Sequence, residues 1–157
     1  MTAAGPHPDC YSCRQEGLAV PVPREEIWLS EVWRVAHAFD TSMPGWLVVV
    51  PRRHVTAFAE LNVVEAAELG PLLVTLGRAL AHVVGCVKTY VVQFAEAEGF
   101  EHLHVHVVPR AADLAPELRG PRVFALLGRP EAERVPVDEQ DRIALDVRAG
   151  WDRFARS

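Results

Sequence analysis

The stretch His102-Leu103-His104-Val105-His106-Val107-Val108-Pro109-Arg110 constrains this chain more than any other. Imidazole and aliphatic side chains alternate with a period of two. On a β-strand that period sends His102, His104 and His106 to one face and Leu103, Val105 and Val107 to the other. The aliphatic face has the composition of a buried face, so the same pleat lines three imidazoles up beside one another. Three titratable rings in a row are costly to place without a use, and such clusters mark sites. A metal ion or an anionic substrate is the natural partner.

Composition narrows the classes. The chain has 157 residues, half of them hydrophobic and 24% charged, which suits one domain with a sizeable core. The net charge is −5 and Lys88 is the only lysine, so nucleic acid is not expected as a partner. No apolar run approaches the ~20 residues of a membrane span, and residues 1–9 are polar and proline-rich without the apolar core of a signal peptide. The expectation is a cytoplasmic protein with no membrane partner: a flexible arm over 1–9, then one domain over 10–157. Two of the three cysteines form Cys10-Tyr-Ser-Cys13, a spacing that in a cytosolic chain favours metal or redox chemistry over a structural disulfide.

Along the chain, 10–17 reads as a compact knuckle, 26–30 and 32–39 as a Trp-, Ile- and Val-rich hairpin, and 46–51 as a central strand. Asn62, followed three residues later by Glu65, predicts a helix N-terminus; apolar residues from Val64 to Val83 keep helical spacing, and Gly85 is a stop. Pro71 lies inside that pattern and is expected to kink or split the helix. A strand over 87–94 and a loop over 95–101 lead into the histidines. Residues 111–136 are rich in proline and glycine. Asp138 is then expected to cap a final amphipathic helix reaching about Phe154. About five strands with one long and one C-terminal helix give an α+β fold with a largely antiparallel sheet.

The pattern 102–108, with Pro109-Arg110 behind it, resembles the signature of the histidine triad (HIT) family of nucleotidyl hydrolases and transferases. The resemblance reaches back through Pro44-Gly45-Trp46-Leu47-Val48-Val49-Val50-Pro51-Arg52-Arg53-His54-Val55 and covers roughly residues 8–110, leaving 111–157 as a less typical C-terminal extension. It implies an antiparallel sheet flanked by helices, usually paired as a homodimer, with nucleoside phosphates bound beside the histidines. It implies His104 as the nucleophile at an α-phosphate, forming a covalent nucleotidyl-histidine, with a nucleotide or dinucleoside polyphosphate, or a phosphoramidate, as substrate. Such attack needs a neutral imidazole, which histidine largely is at pH 7. His106, one pleat along, would donate to phosphate oxygens. Zinc-binding relatives with a CxxC pair imply Cys10, Cys13, His54 and His102 as ligands of a closed, structural Zn²⁺.

One departure stands out. Where such proteins commonly carry glutamine and a serine or threonine before the triad, this chain has Ala95-Glu96-Ala97-Glu98-Gly99-Phe100-Glu101. Three carboxylates repel an anionic substrate unless they point away or hold a cation. Gln93 is a stand-in for the missing amide, and backbone N–H groups around Gly99 could cradle an oxyanion. Asp40 and His37 lie where the family grips the ribose, although a turn aspartate reads equally well. Trp28, Trp33 and Phe39 suit either a base pocket or the core, Arg52, Arg53 and Arg110 suit solvent or phosphate, and Cys86 reads as a small buried hydrophobe. Three functions are open: a hydrolase acting through His104, a nucleotide-binding protein without catalysis, and a zinc hydrolase with all three histidines around an open metal.

Overall fold

The computed structural model describes residues 7–156, so the proposed arm over 1–9 lies mostly outside the described residues. Five antiparallel strands form one sheet in the order β1-β2-β3-β5-β4: β1 Trp28–Leu29, β2 Trp33–His37, β3 Leu47–Pro51, β4 Lys88–Val92 and β5 Val105–Arg110. The helices are α1 Tyr11–Glu16, α2 Val63–Val83 and α3 Val137–Arg156.

The pleat sorts the sheet into two faces with different tasks. Trp33 and Val35 on β2, Leu47 and Val49 on β3, and Val105 and Val107 on β5 all sit in one buried cluster. That cluster is closed by Leu69, Leu72, Leu76, Ala79 and Leu80 of α2 and by Ile143, Ala144, Val147 and Phe154 of α3. The opposite face carries Arg34 and Ala36, Val48 and Val50, and His106 and Val108, set side by side by the register Arg34↔Val50, Ala36↔Val48 and Val48↔His106. This second face holds the site. Both helices therefore pack behind the sheet, and the chemistry is in front of it.

α2 starts as its sequence predicts. Asn62 Oδ1 accepts from the Glu65 N–H at 2.9 Å, and Glu65 Oε2 accepts from the Asn62 N–H at 2.8 Å. Glu65 is 1% exposed, and Arg53 satisfies its carboxylate at 2.9 and 3.1 Å, so the buried charge is paired. Gly85 follows the helix with φ +70, the left-handed stop. The expected break at Pro71 does not occur: α2 runs unbroken from Val63 to Val83. One missing N–H is outweighed by the capping box and by the leucine stripe on either side of it, and Thr75 Oγ1 donates to the Pro71 carbonyl at 3.0 Å.

One further expectation is made specific and two need correction. The knuckle at 10–17 is a short helix, with Cys10 at its N-cap and Gly17 at its C-cap. Asp138 does not cap α3: the helix starts at Val137, and the Gln140 N–H bonds the Pro136 carbonyl, which leaves Asp138 in the first turn where a negative charge suits the dipole. β5 begins only at Val105, so His102 and His104 stand on the segment leading into it, with the Leu103 N–H bonded to the Val55 carbonyl at 2.7 Å. A bend at His102 replaces the continuous pleat there.

His37 closes the β2–β3 connection. Its Nδ1–H donates to the Ala38 carbonyl at 2.8 Å and its Nε2 accepts from the Gly45 N–H at 3.0 Å, so both nitrogens are used inside the turn. Gly45 has φ +82, a conformation side chains rarely adopt, and a Cβ there would press on Leu80 of α2 and on Val84 just after it. Burial lowers the His37 pKa from 6.5 to about 4. A depressed imidazole contributes stability that is complete above pH 6.5 and is lost as the pH falls towards 4, by up to roughly 3 kcal/mol. Urea unfolding across that window should therefore show a steeper acid loss for the wild type than for His37→Asn. Equal slopes for the two proteins would remove His37 as the cause.

Candidate functional site

In front of the sheet lies a cavity of about 390 Å³, lined by Arg34, Ala36, Val48, Val50, His104 and His106 from the sheet and its approach. Tyr11 and Ser12 of α1, Phe39 and Asp40 after β2, and Phe94 to Ala97 and Phe100 before the histidines complete its walls. Phe124 and Leu127 close it from the C-terminal segment. Sequence reasoning missed this last wall. Residues 120–126 form a 3₁₀ turn whose Val123 and Phe124 belong to a second apolar cluster with Met43, Trp46 and Val108. The apolar run at 123–127 was the available signal.

The three histidines do three different things. His102 is 2% exposed; its Nε2–H donates to the Pro51 carbonyl at 2.8 Å, which turns Nδ1 towards two thiols, Cys10 Sγ at 3.5 Å and Cys13 Sγ at 3.6 Å. His54 Nδ1 lies 3.3 Å from Cys13 Sγ. The ligand atoms of Cys10, Cys13, His54 and His102 all lie within 4.8 Å of one another. A tetrahedral zinc ion with Zn–S near 2.3 Å and Zn–N near 2.0–2.1 Å separates sulfur from nitrogen by roughly 3.6 Å, so this donor set fits one Zn²⁺. Burial pushes the Cys13 thiol up and the His54 and His102 imidazoles down, His102 to about 4. Neutral imidazole is the ligand form, and a dication reverses the effect on the thiols.

His104 is half-buried and its Nδ1–H donates to the His102 carbonyl at 2.8 Å. That bond leaves the lone pair on Nε2, and the ring lines the cavity. His106 has the opposite arrangement. Trp46 Nε1–H donates to His106 Nδ1 at 3.0 Å, so the proton of the neutral ring is on Nε2. The two rings meet edge to face with centroids 4.8 Å apart. Burial, and then the charge His104 can carry, lower His106 to about 3, so it is neutral at pH 7. The cavity thus holds a nitrogen lone pair beside an N–H donor. Because His102 is drawn to the thiols and His106 to Trp46, the three rings do not converge on one metal.

The remaining expected residues separate. Asp40 lines the cavity, and its Oδ2 accepts from the Gly128 N–H at 3.1 Å, tying it to the C-terminal segment. Glu96 lines the cavity, whereas Glu98 and Glu101 are exposed residues outside its lining. Gln93 and Gly99 are not among the lining residues; the Gly99 carbonyl instead accepts from the Tyr11 N–H at 3.5 Å. Arg53 is held by Glu65 and Arg52 by Glu16 and the Ser30 carbonyl, away from the cavity. Of the aromatics offered as base-pocket walls, Trp33 is core, Trp28 stacks on Trp151, and Phe39 lines the cavity.

Residues 25–113 match the family described as "HIT domain". No curated protein shows a significant sequence match. Among solved structures, the fold is similar to a zinc-bound histidine triad family protein from Mycobacterium smegmatis, at 18% identity over 92% of this chain and 94% of that one, with a TM-score of 0.65. It is also similar to a histidine triad protein from Bradyrhizobium japonicum, at 23% identity over 80% and 89%, with a TM-score of 0.65. A histidine triad protein from Sinorhizobium meliloti matches at 25% identity over 78% and 86%, with a TM-score of 0.60.

The opposite ring tautomers give a direct spectroscopic expectation. Long-range ¹⁵N–¹H correlation at neutral pH should place the ring proton of His104 on Nδ1 and that of His106 on Nε2, with His106 staying neutral as the pH falls well below 6.5. A His106 proton on Nδ1, or titration near its ordinary value, would contradict the geometry.

Proposed function

The chain belongs to the histidine triad (HIT) family, and from that premise we propose that it is a nucleotide hydrolase attacking the α-phosphorus of a nucleoside phosphoanhydride or phosphoramidate through Nε2 of His104. The observation that carries this reading is the pairing of tautomers. The Nδ1–H bond to the His102 carbonyl aims the Nε2 lone pair into the cavity. As the Nε2–P bond forms and the bond to the leaving oxygen or nitrogen breaks, the ring becomes cationic, and that carbonyl stabilises the charge through the same hydrogen bond. His106 Nε2–H is placed to donate to a phosphoryl oxygen as charge builds there. Water then attacks phosphorus, the N–P bond breaks, and His104 returns to its neutral tautomer while the leaving group and solvent carry the protons.

A second reading rests on one observation: where glutamine and a serine or threonine are usual before the triad, this chain has residues 95–101, and Glu96 stands in the cavity wall. Without those polar side chains at the phosphate and leaving group, a nucleotide binds but is not turned over. Adenosine and guanosine phosphoramidates and dinucleoside polyphosphates separate the two. The hydrolase reading expects turnover that His104→Asn lowers on the order of 10³-fold or more, with a nucleotidyl adduct of the wild type seen by mass spectrometry after alkaline quench. Binding without turnover by the wild type leaves the second reading standing and removes the first.

Cys10, Cys13, His54 and His102 are the residues that would hold a structural zinc. Bound there, the ion supplies a closed cross-link between α1, the end of β3 and the histidine segment. A homodimer would use the free edge of β4, where Val87 and Val91 are exposed. No helix among the described residues is long and apolar enough to cross a membrane. Metal analysis should find about one zinc per chain, lost in Cys13→Ser, and chelation should lower Tm by about 5–10 °C. A wild-type protein free of zinc, or one whose Tm ignores chelation, would exclude the cross-link.

A further inference from the structure

The cavity has a second polar centre that attack at phosphorus does not use. Arg34 shares the face of Ala36 and pairs with Val50; the register Val49↔Val105 sets Val50 beside position 104. Two strand spacings of 4.7–4.9 Å separate the backbone at Arg34 from that at position 104 by about 9–10 Å across the sheet. Both side chains line the same cavity, so one ligand can reach His104 at one end and Arg34 at the other. Arg34 is 4% exposed and lines the cavity. Its Nη1 donates to the Glu25 carbonyl at 2.7 Å and to Glu25 Oε2 at 3.4 Å. Its Nε lies 3.3 Å from Glu16 Oε2 but makes no hydrogen bond, although it is buried.

Glu25 also lines the cavity, and the Tyr11 hydroxyl donates to its Oε1 at 3.3 Å. Tyr11 packs against Phe39 and Phe100, with ring centroids 5.1–6.0 Å apart within the trio, and all three line the cavity. An aromatic face thus adjoins a paired carboxylate and guanidinium. A face and an edge are what a flat heterocycle with donors and acceptors on its rim requires.

We propose that Glu25 and Arg34 read the rim of the nucleobase and select guanine, stacked on the Tyr11–Phe39–Phe100 surface. This deepens the nucleotide-hydrolase reading and rests on it. Guanine presents N1–H and an exocyclic N–H side by side, which match the free lone pairs of a carboxylate, next to an O6 acceptor that matches a guanidinium. Adenine presents a single amino group on that rim, followed by an acceptor nitrogen that faces the carboxylate unfavourably. Leaving a buried polar group unmatched costs at least about tenfold in affinity.

The test is calorimetry on the intact protein with GMP, IMP and AMP. The expected result is GMP binding at least about tenfold tighter than AMP, with IMP, which lacks the exocyclic amine, in between. Glu25→Gln should bring GMP close to AMP by weakening GMP alone. The ranking in the unaltered protein needs no variant, so it stands as a test even if that substitution fails to fold. Equal affinities for GMP and AMP, or a Glu25→Gln protein that folds and keeps the preference, would overturn the base assignment and leave the nucleotide reading in place. Failure of all three nucleotides to bind would overturn both.

Discussion

The cysteine–histidine cluster and the orientation of His104 both pass through the backbone and ring of His102. Its Nε2–H is held by the Pro51 carbonyl at the end of β3, its Nδ1 faces the two thiols, and its own carbonyl accepts the proton of His104 Nδ1. One residue therefore fixes the cysteine–histidine cluster and the tautomer of the neighbouring imidazole together. Each ring in this row is specified by what its remote nitrogen touches.

Behind the sheet, the packing gives this arrangement its rigidity. Leu47, Val49, Val105 and Val107 are all at 2% exposure or less, so β3 and β5 cannot shift without opening the core beneath α2 and α3. The residues between them in sequence, Val48 and His106, are thereby fixed in the opposite face. Trp46 secures the far end: it is fully buried, meets Phe124 edge to face at 5.3 Å, and donates to His106. The extension beyond β5 is thus part of the cavity, because Phe124 and Leu127 wall it and Gly128 holds Asp40.

Much of this was legible from residue pattern alone. The capping box at Asn62 and Glu65, the Gly85 stop, the order of the strands along the chain and the gathering of Cys10, Cys13, His54 and His102 follow from local chemistry or from a family signature. What was not legible depends on tertiary context. Pro71 breaks a helix only when nothing else holds it, and here a leucine stripe does. His37, a candidate by its nearness to the expected ribose position, does line the cavity, but spacing could not show that both its nitrogens are engaged within its own turn. Glu25 and Arg34 gave no signal at all, since their importance comes from β2 bringing a lone arginine to the cavity beside a carboxylate from a proline-rich connection. The alternation that pointed to the triad held for His104 and His106, which both line the cavity, but not for His102, which stands at a bend with its ring against the thiols.

The short helix α1 has a consequence for how the molecule opens. Six residues cannot sustain a helix through their own hydrogen bonds, so α1 keeps its place through side-chain anchorage. Cys13 and the cap Cys10 face the histidine cluster, Tyr11 and Ser12 wall the cavity, and Glu16 contacts Arg34 and Arg52. Cluster and cavity wall thus share one short helix, held by contacts on both sides. Whatever holds the sulfur–nitrogen cluster together therefore also holds one wall of the cavity in place.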